Sequence, residues 1–192
     1  MAEIAFDALH WLNPPDDFAV EGAALTLRTR PRTDFWQRTH YGFRRDDGHF
    51  LFTRRAADFV AEASVTLKPE AEYDQAGLMV RCSASCWLKT ACEYQPGKPS
   101  QLGAVVTNAG YSDWSYRPVT PFPATVRYRV ERAGGDYIVS AQVDAGEMTV
   151  HRIARLIEDD GRSDVEVGIY ACSPNGDGCP VTFGPLSVRP RP

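Results

Sequence analysis

In the run WLKTACEY, Trp87, Lys89 and Glu93 fall on one alternation phase. In an extended strand an indole, an ammonium and a carboxylate would therefore share a face, roughly 6–7 Å apart for each two residues. Such a set can hydrogen-bond a polar ligand, and it can also take a proton and hold the negative charge that develops. A second concentration lies in TDFWQRTHYGFRRDDGHFLF, Thr33 to Phe52, which carries Asp34, Trp36, His40 and His49 among other aromatic residues. A core strand needs none of that polar chemistry, whereas a sheet face that binds something needs aromatic platforms and polar groups together. YDQAG adds Asp74 and Gln75, the same strand continues to Arg81, and SDWS adds Asp113 and Trp114. The residues singled out are Glu93, Lys89 and His40 for acid–base chemistry. For holding a ligand they are Asp34, Trp36, His49, Asp74, Gln75, Arg81, Asp113 and Trp114.

The elements that must position these residues read as strands. AALTLRT, HFLFTR, FVAEASVTL, AGLMVRCS, CWLKTACEY, LGAVVTN, ATVRYRVERA, DYIVSAQV, MTVHRIAR, VEVGIYAC and VTFGPLSVRP each alternate or run apolar. They are separated by DDG, QPGKP, AGG, DAG and PNGDG, where Gly supplies positive φ and Asp or Asn stabilises the bend. No window holds a helical period, and LIEDDGR offers one helical turn at most. An all-β sandwich or jelly roll follows, as one domain over residues 1–192. Strand phase puts Trp87, Lys89, Ala91 and Glu93 opposite Leu88, Thr90, Cys92 and Tyr94, and an antiparallel neighbour brings Gln75 or Arg81 beside Lys89 or Glu93. A hairpin turn is expected at Arg44–Gly48, between His40 and His49. Trp11 is assigned to the core or to closure of the N-terminal end.

Bulk composition removes whole classes of function. The chain has 192 residues, 43% hydrophobic and 24% charged, with a net charge of −4. That balance attracts neither nucleic acid nor an anionic membrane. MAEIAFDALHWLNPPDD has no basic start and no long apolar run, and no segment reaches the ~20 apolar residues of a spanning helix, so a cytoplasmic protein is expected. The five cysteines are an odd number at irregular spacing, a poor disulfide framework and a poor zinc site. Asp74, Glu93 and His40 form the one trio of metal-ligand types worth weighing. Lys89 between the carboxylates would repel a cation, so no metal and no cofactor are expected.

The ordered motifs TDFWQRTHYGF, DGHFL, YDQAGLMVR, WLKTACEY, AVVTNAGYSDWS and YACSP, from about Trp11 to Val188, resemble the regulation-of-enolase-like family of the concanavalin A-like lectin/glucanase superfamily. The resemblance implies a jelly-roll sandwich of two curved antiparallel sheets with a concave face, which in related superfamilies binds carbohydrate. It also implies a metabolic enzyme as a partner, since one member's name ties it to control of enolase. VTFGPLSVRP resembles the family's return strand, expected to pair near the N-terminal strand. The glucanase strand E-x-D-x-x-E is missing, so retaining-glucanase chemistry is not expected. PNGDG is too short for a lectin calcium and manganese loop.

Two readings of function follow. In the first, the concave cleft holds a small carbohydrate or polar metabolite without turning it over, as a binding or regulatory module. In the second, a metal-independent isomerase, lyase or hydrolase uses Glu93 or His40 as acid–base and Lys89 to stabilise charge.

Overall fold

A computed structural model describes residues 3–192. One sheet runs through β1 (Glu3–Ile4), β3 (Phe18–Glu21), β4 (Ala24–Arg28), β8 (Phe59–Leu67), β13 (Val126–Ala133), β14 (Asp136–Val143), β15 (Thr149–Arg155), β17 (Pro180–Phe183) and β18 (Leu186–Pro190). The facing sheet is built from β2 (His10–Leu12), β7 (His49–Arg55), β9 (Gln75–Ser83), β10 (Cys86–Glu93), β11 (Ser100–Asn108), β12 (Tyr111–Val119) and β16 (Val165–Cys172). Its order is β12-β11-β10-β9-β16-β7-β2, and every pairing in both sheets is antiparallel. A separate hairpin, β5 (Phe35–Gln37) with β6 (Arg44–Asp46), belongs to neither sheet. Among the described residues the one helical element is a single 3-10 turn, Phe6–Ala8. The molecule is an all-β jelly-roll sandwich.

Two apolar layers explain why its central strands are apolar on both faces. Between the sheets, Leu78, Val80, Leu88, Val167 and Ile169 meet Leu25, Val65, Val130, Val139 and Phe183. On the outer face of the seven-stranded sheet, Met79, Trp87, Val105 and Tyr170 form a second cluster with Phe35 and Trp36 of the hairpin. β10 is consequently buried at every position, as strands covered on both faces must be. The hairpin packs closely at its base: a Cβ on Gly48 would lie 2.5 Å from both the Phe35 ring and Cys172 Sγ.

Strand positions follow the sequence closely, with instructive exceptions. VTFGPLSVRP divides at Gly184–Pro185 into β17 and β18, and β18 pairs with β1 as the return strand was expected to. β12 is not among the strands the alternation picks out, because its burial alternates weakly at a sheet edge. The hairpin turn is not at Arg44–Gly48 but at Arg38–Phe43. There Arg38, His40 and Gly42 all adopt positive φ, and Arg38 N–H bonds to the Phe43 carbonyl at 2.8 Å. Asp46–Gly48 instead turns the chain into β7. Trp11 packs at the N-terminal end, partly buried against the core. All five thiols are free, four of them buried.

Candidate functional site

The outer face of the seven-stranded sheet carries a cleft of about 220 Å³ beneath the β5–β6 hairpin. Its polar floor comes from β9 and β10: Gln75, Lys89 and Glu93. The hairpin and its approach supply Asp34, Trp36, Tyr41 and Phe43; Tyr73, Trp114, Pro174 and Asn175 complete the rim.

Lys89 is the hub of the floor. Its side chain is 2% exposed, and its Nζ donates to Asp34 Oδ1 and to Gln75 Oε1, both at 3.0 Å. Gln75 Oε1 also accepts the Tyr170 hydroxyl at 3.1 Å, and Gln75 Nε2 donates to the Tyr73 carbonyl at 3.1 Å. The Tyr170 and Trp87 rings lie 5.7 and 6.0 Å from the ammonium, close enough for a cation–π contribution. Burial works against the charge on Lys89, but Asp34, with Glu93 adding to it, outweighs burial and holds its pKa above the ordinary lysine value. The group is therefore a fixed cation.

Glu93 behaves differently. It is 9% exposed, lines the cleft, and has no hydrogen bond or ion pair among the described residues. Burial pushes its pKa up to about 7, Lys89 pulls it down and Asp34 pushes it up again. A carboxyl near neutrality with free oxygens facing a cleft can accept ligand hydroxyls or exchange a proton.

Two clasps hold the hairpin over the sheet. Asp34, just before β5, is pinned by Lys89, while its backbone N–H donates to Asp47 Oδ1 at 2.8 Å. At the other end Arg81 holds Asp46 of β6 in a two-pronged ion pair at 2.7 and 2.8 Å. Trp36 is 7% exposed, with Nε1 donating to the Thr39 carbonyl at 3.0 Å and its ring edge-on to Tyr41. It forms a wall of the cleft and not an open stacking platform. The open aromatic surface belongs to Tyr41 and Phe43, 52% and 43% exposed and stacked on each other, with Trp114 partly exposed opposite. Tyr73 also lines the cleft with φ of 68°, an uncommon backbone for a bulky residue.

The structure thus brings Asp34, Trp36, Gln75, Lys89, Glu93 and Trp114 to one cleft and places five other sequence candidates elsewhere. Arg81 is a hairpin clasp. Asp74 is fully buried outside the cleft, where Oδ2 accepts the Glu70 and Ala71 N–H groups at 2.8 Å and Oδ1 accepts the Ser173 hydroxyl. A short acceptor next to a turn is better used there than in a ligand site. His49 is also buried: Nδ1 pairs with the Asn13 carbonyl at 2.6 Å and Nε2 accepts the Arg30 N–H at 2.8 Å. Those partners assign the neutral tautomer with the proton on Nδ1, and burial lowers its pKa. His40 is exposed on the loop, stacked edge-on against Tyr41, and does not line the cleft. Asp113 faces solvent from β12 and pairs with Arg152 of β15. Separation of Asp74, Glu93 and His40 also dissolves the only metal trio considered. Among the described residues no group of three or more His, Cys, Asp or Glu could hold a metal ion.

Reading by residue type missed Tyr41, Phe43, Tyr73 and Asn175. Tyr41 and Phe43 flank Gly42 in THYGF, and an aromatic pair around a turn glycine is the available signal. Asn175 follows YACSP without one.

The fold and the cleft together define a jelly-roll β-sandwich protein with a capped polar cleft on the outer face of one sheet. This chain belongs to the family described as Protein of unknown function (DUF1349), whose model matches residues 11–191. It is 36% identical over 178 residues to Regulation of enolase protein 1 of Saccharomyces cerevisiae, covering 93% of this chain and 87% of that protein. A crystal structure described as a functionally unknown protein from Saccharomyces cerevisiae matches with a TM-score of 0.88 at 34% identity, over 98% of this chain and 99% of that one. A xylan β-1,4-xylosidase from Bacillus halodurans matches with a TM-score of 0.72 at 15% identity, over 96% of this chain and 38% of that one. An alginate lyase from Klebsiella pneumoniae gives a TM-score of 0.59 at 11% identity, over 92% and 85% of the two chains. At these last two identities the likeness is one of fold alone. No helix among the described residues is long and apolar enough to cross a membrane.

Proposed function

We propose that this protein binds a small carbohydrate or a polar metabolite of similar size in the cleft beneath the β5–β6 hairpin, without turning it over. The observation that carries the reading is Glu93, nine-tenths buried yet without a partner among the described residues at the floor of a cleft walled by aromatic rings. Ionisable side chains are rarely left so unless a ligand completes them. A cleft of about 220 Å³ falls below the roughly 300–1,000 Å³ typical of drug-sized ligands, which suits a single ring. Trp114, Tyr41 and Phe43 would stack on its apolar face, while Gln75, Lys89 and Glu93 would bond its polar edge. A binding module of this kind is compatible with a regulatory role and a metabolic-enzyme partner, the theme carried by the yeast relative's name, and with a cytoplasmic setting.

One observation favours the enzyme reading. Glu93, held at about 7, is poised to give and take a proton, with Lys89 beside it to hold charge. His40, on the surface, would take no part, and Asp34 is committed to Lys89, so a second acid–base group is wanting. Titration calorimetry against a panel of mono- and disaccharides tests the proposal. Saturable binding of a neutral ligand that is weakened in Glu93→Gln and returns the ligand unchanged after prolonged incubation supports a module. Conversion of the ligand by the wild type but not by Glu93→Gln would make it an enzyme.

A further inference from the structure

The hydrogen-bonding valences at the cleft floor set the charge a ligand can carry. Among the described residues Lys89 is the only cationic one lining the cleft. Two of its three N–H donors are engaged by Asp34 and Gln75. Gln75 has its carbonyl occupied by Lys89 and Tyr170 and one amide N–H by Tyr73, which leaves it one donor. Against one free donor on each of these residues stand both oxygens of Glu93 and Oδ2 of Asp34, none bonded to another described residue. The ammonium is already neutralised by the Asp34 carboxylate at 3.0 Å, so ionised Glu93 leaves the floor with a net charge of −1, and protonated Glu93 leaves it neutral. No arrangement of these groups offers an incoming anion a free cation. The floor is acceptor-rich, and its unmet need is for donors, which hydroxyl groups supply and carboxylate or phosphate groups do not. The walls require a flat apolar face, which the C–H side of a sugar ring provides.

We infer that the cleft selects uncharged, hydroxyl-rich rings and rejects their carboxylated and phosphorylated counterparts. Resting on the binding reading above, it narrows the chemical class that reading admits. Like charges brought together in a desolvated site repel, which separates ligands of otherwise identical shape.

Sugars that share a ring and differ in charge test it directly. D-glucose, D-galactose and D-xylose are titrated at pH 8 and low salt beside D-glucuronate, D-galacturonate and D-glucose 6-phosphate, and thermal stabilisation is measured in parallel. The expected result is saturable binding of at least one neutral sugar, with its charged counterpart weaker by about tenfold or more. Glu93→Gln should narrow that gap by improving the anion. Equal or tighter binding of the charged member overturns the charge inference and leaves the binding reading standing. Failure of every probe, neutral and charged, up to millimolar concentrations with folded protein sinks the sugar reading and this inference with it.

Discussion

Two buried ionic clusters in this molecule differ in one respect. In the first, Arg132 and Asp159 are both fully buried and nothing is left open. Arg132 donates to Asp159, to the Arg55 and Ala56 carbonyls and to the Ser163 carbonyl; Asp159 also accepts the Tyr137 hydroxyl and the Gly161 N–H. In the second, Lys89 and Asp34 share a single contact at 3.0 Å, and Glu93 is left with unbonded oxygens toward a cleft. A closed cluster fastens loops together, whereas an open one is completed by something from outside. Burial of charge alone does not distinguish them; the state of the last acceptor does.

The largest expected effect falls on the closed cluster. Asp159→Asn removes the only carboxylate hydrogen-bonded to Arg132 among the described residues and should cost about 3–5 kcal/mol in urea unfolding. Lys89→Met in the open cluster should cost less, about 2 kcal/mol, because Asp34 and Glu93 reach the cleft while the Arg132 partners do not. It should also abolish ligand binding. Equal costs for the two variants would break the comparison and make the cleft cluster another fastening.

Glu93→Gln sharpens the contrast through pH. The folded Glu93 carboxyl sits at about 7, above its ordinary 4.5 in the unfolded chain, so the folded state holds the proton more tightly. The stability this lends is full below about pH 4.5 and is lost as pH rises through 7. Replacing Glu93 by Gln should therefore stabilise the protein at pH 8 by up to about 3 kcal/mol. At pH 4 it should change little. Melting temperatures across that range check it, and a variant less stable at pH 8 would show that Glu93 fastens the fold. Trp114→Ala should weaken ligand binding about three- to tenfold, the strength of one aromatic contact, with little change in melting temperature. His40→Ala, smallest of all, should shift stability by under ~0.5 kcal/mol and leave binding intact.

The sequence revealed the sheet better than the hairpin above it. Alternation in WLKTACEY placed Lys89 and Glu93 on one face because strand geometry leaves no other choice, and the neighbouring phase of QAGLMVR brought Gln75 to Lys89. His40, His49 and Asp74 lie outside the cleft, and residue type does not report which partner a polar atom finds. A turn consumed Asp74, the Asn13 and Arg30 backbone groups consumed His49, and a left-handed loop turned His40 outward. Tyr41 and Phe43 stayed hidden for a related reason: their place over the cleft depends on Arg38, His40 and Gly42 all taking positive φ, and only the glycine signals it.

Asp34, Trp36, Tyr41 and Phe43 reach the cleft from one short excursion that pairs with neither sheet. The sandwich and the roof are in that sense modular. Exchanging the Arg38–Phe43 loop alters the shape offered to a ligand without touching a ladder of either sheet, provided the Asp34 and Asp46 clasps are kept. Relatives can on these grounds share one sandwich body and diverge in taste, with six residues as the interchangeable part.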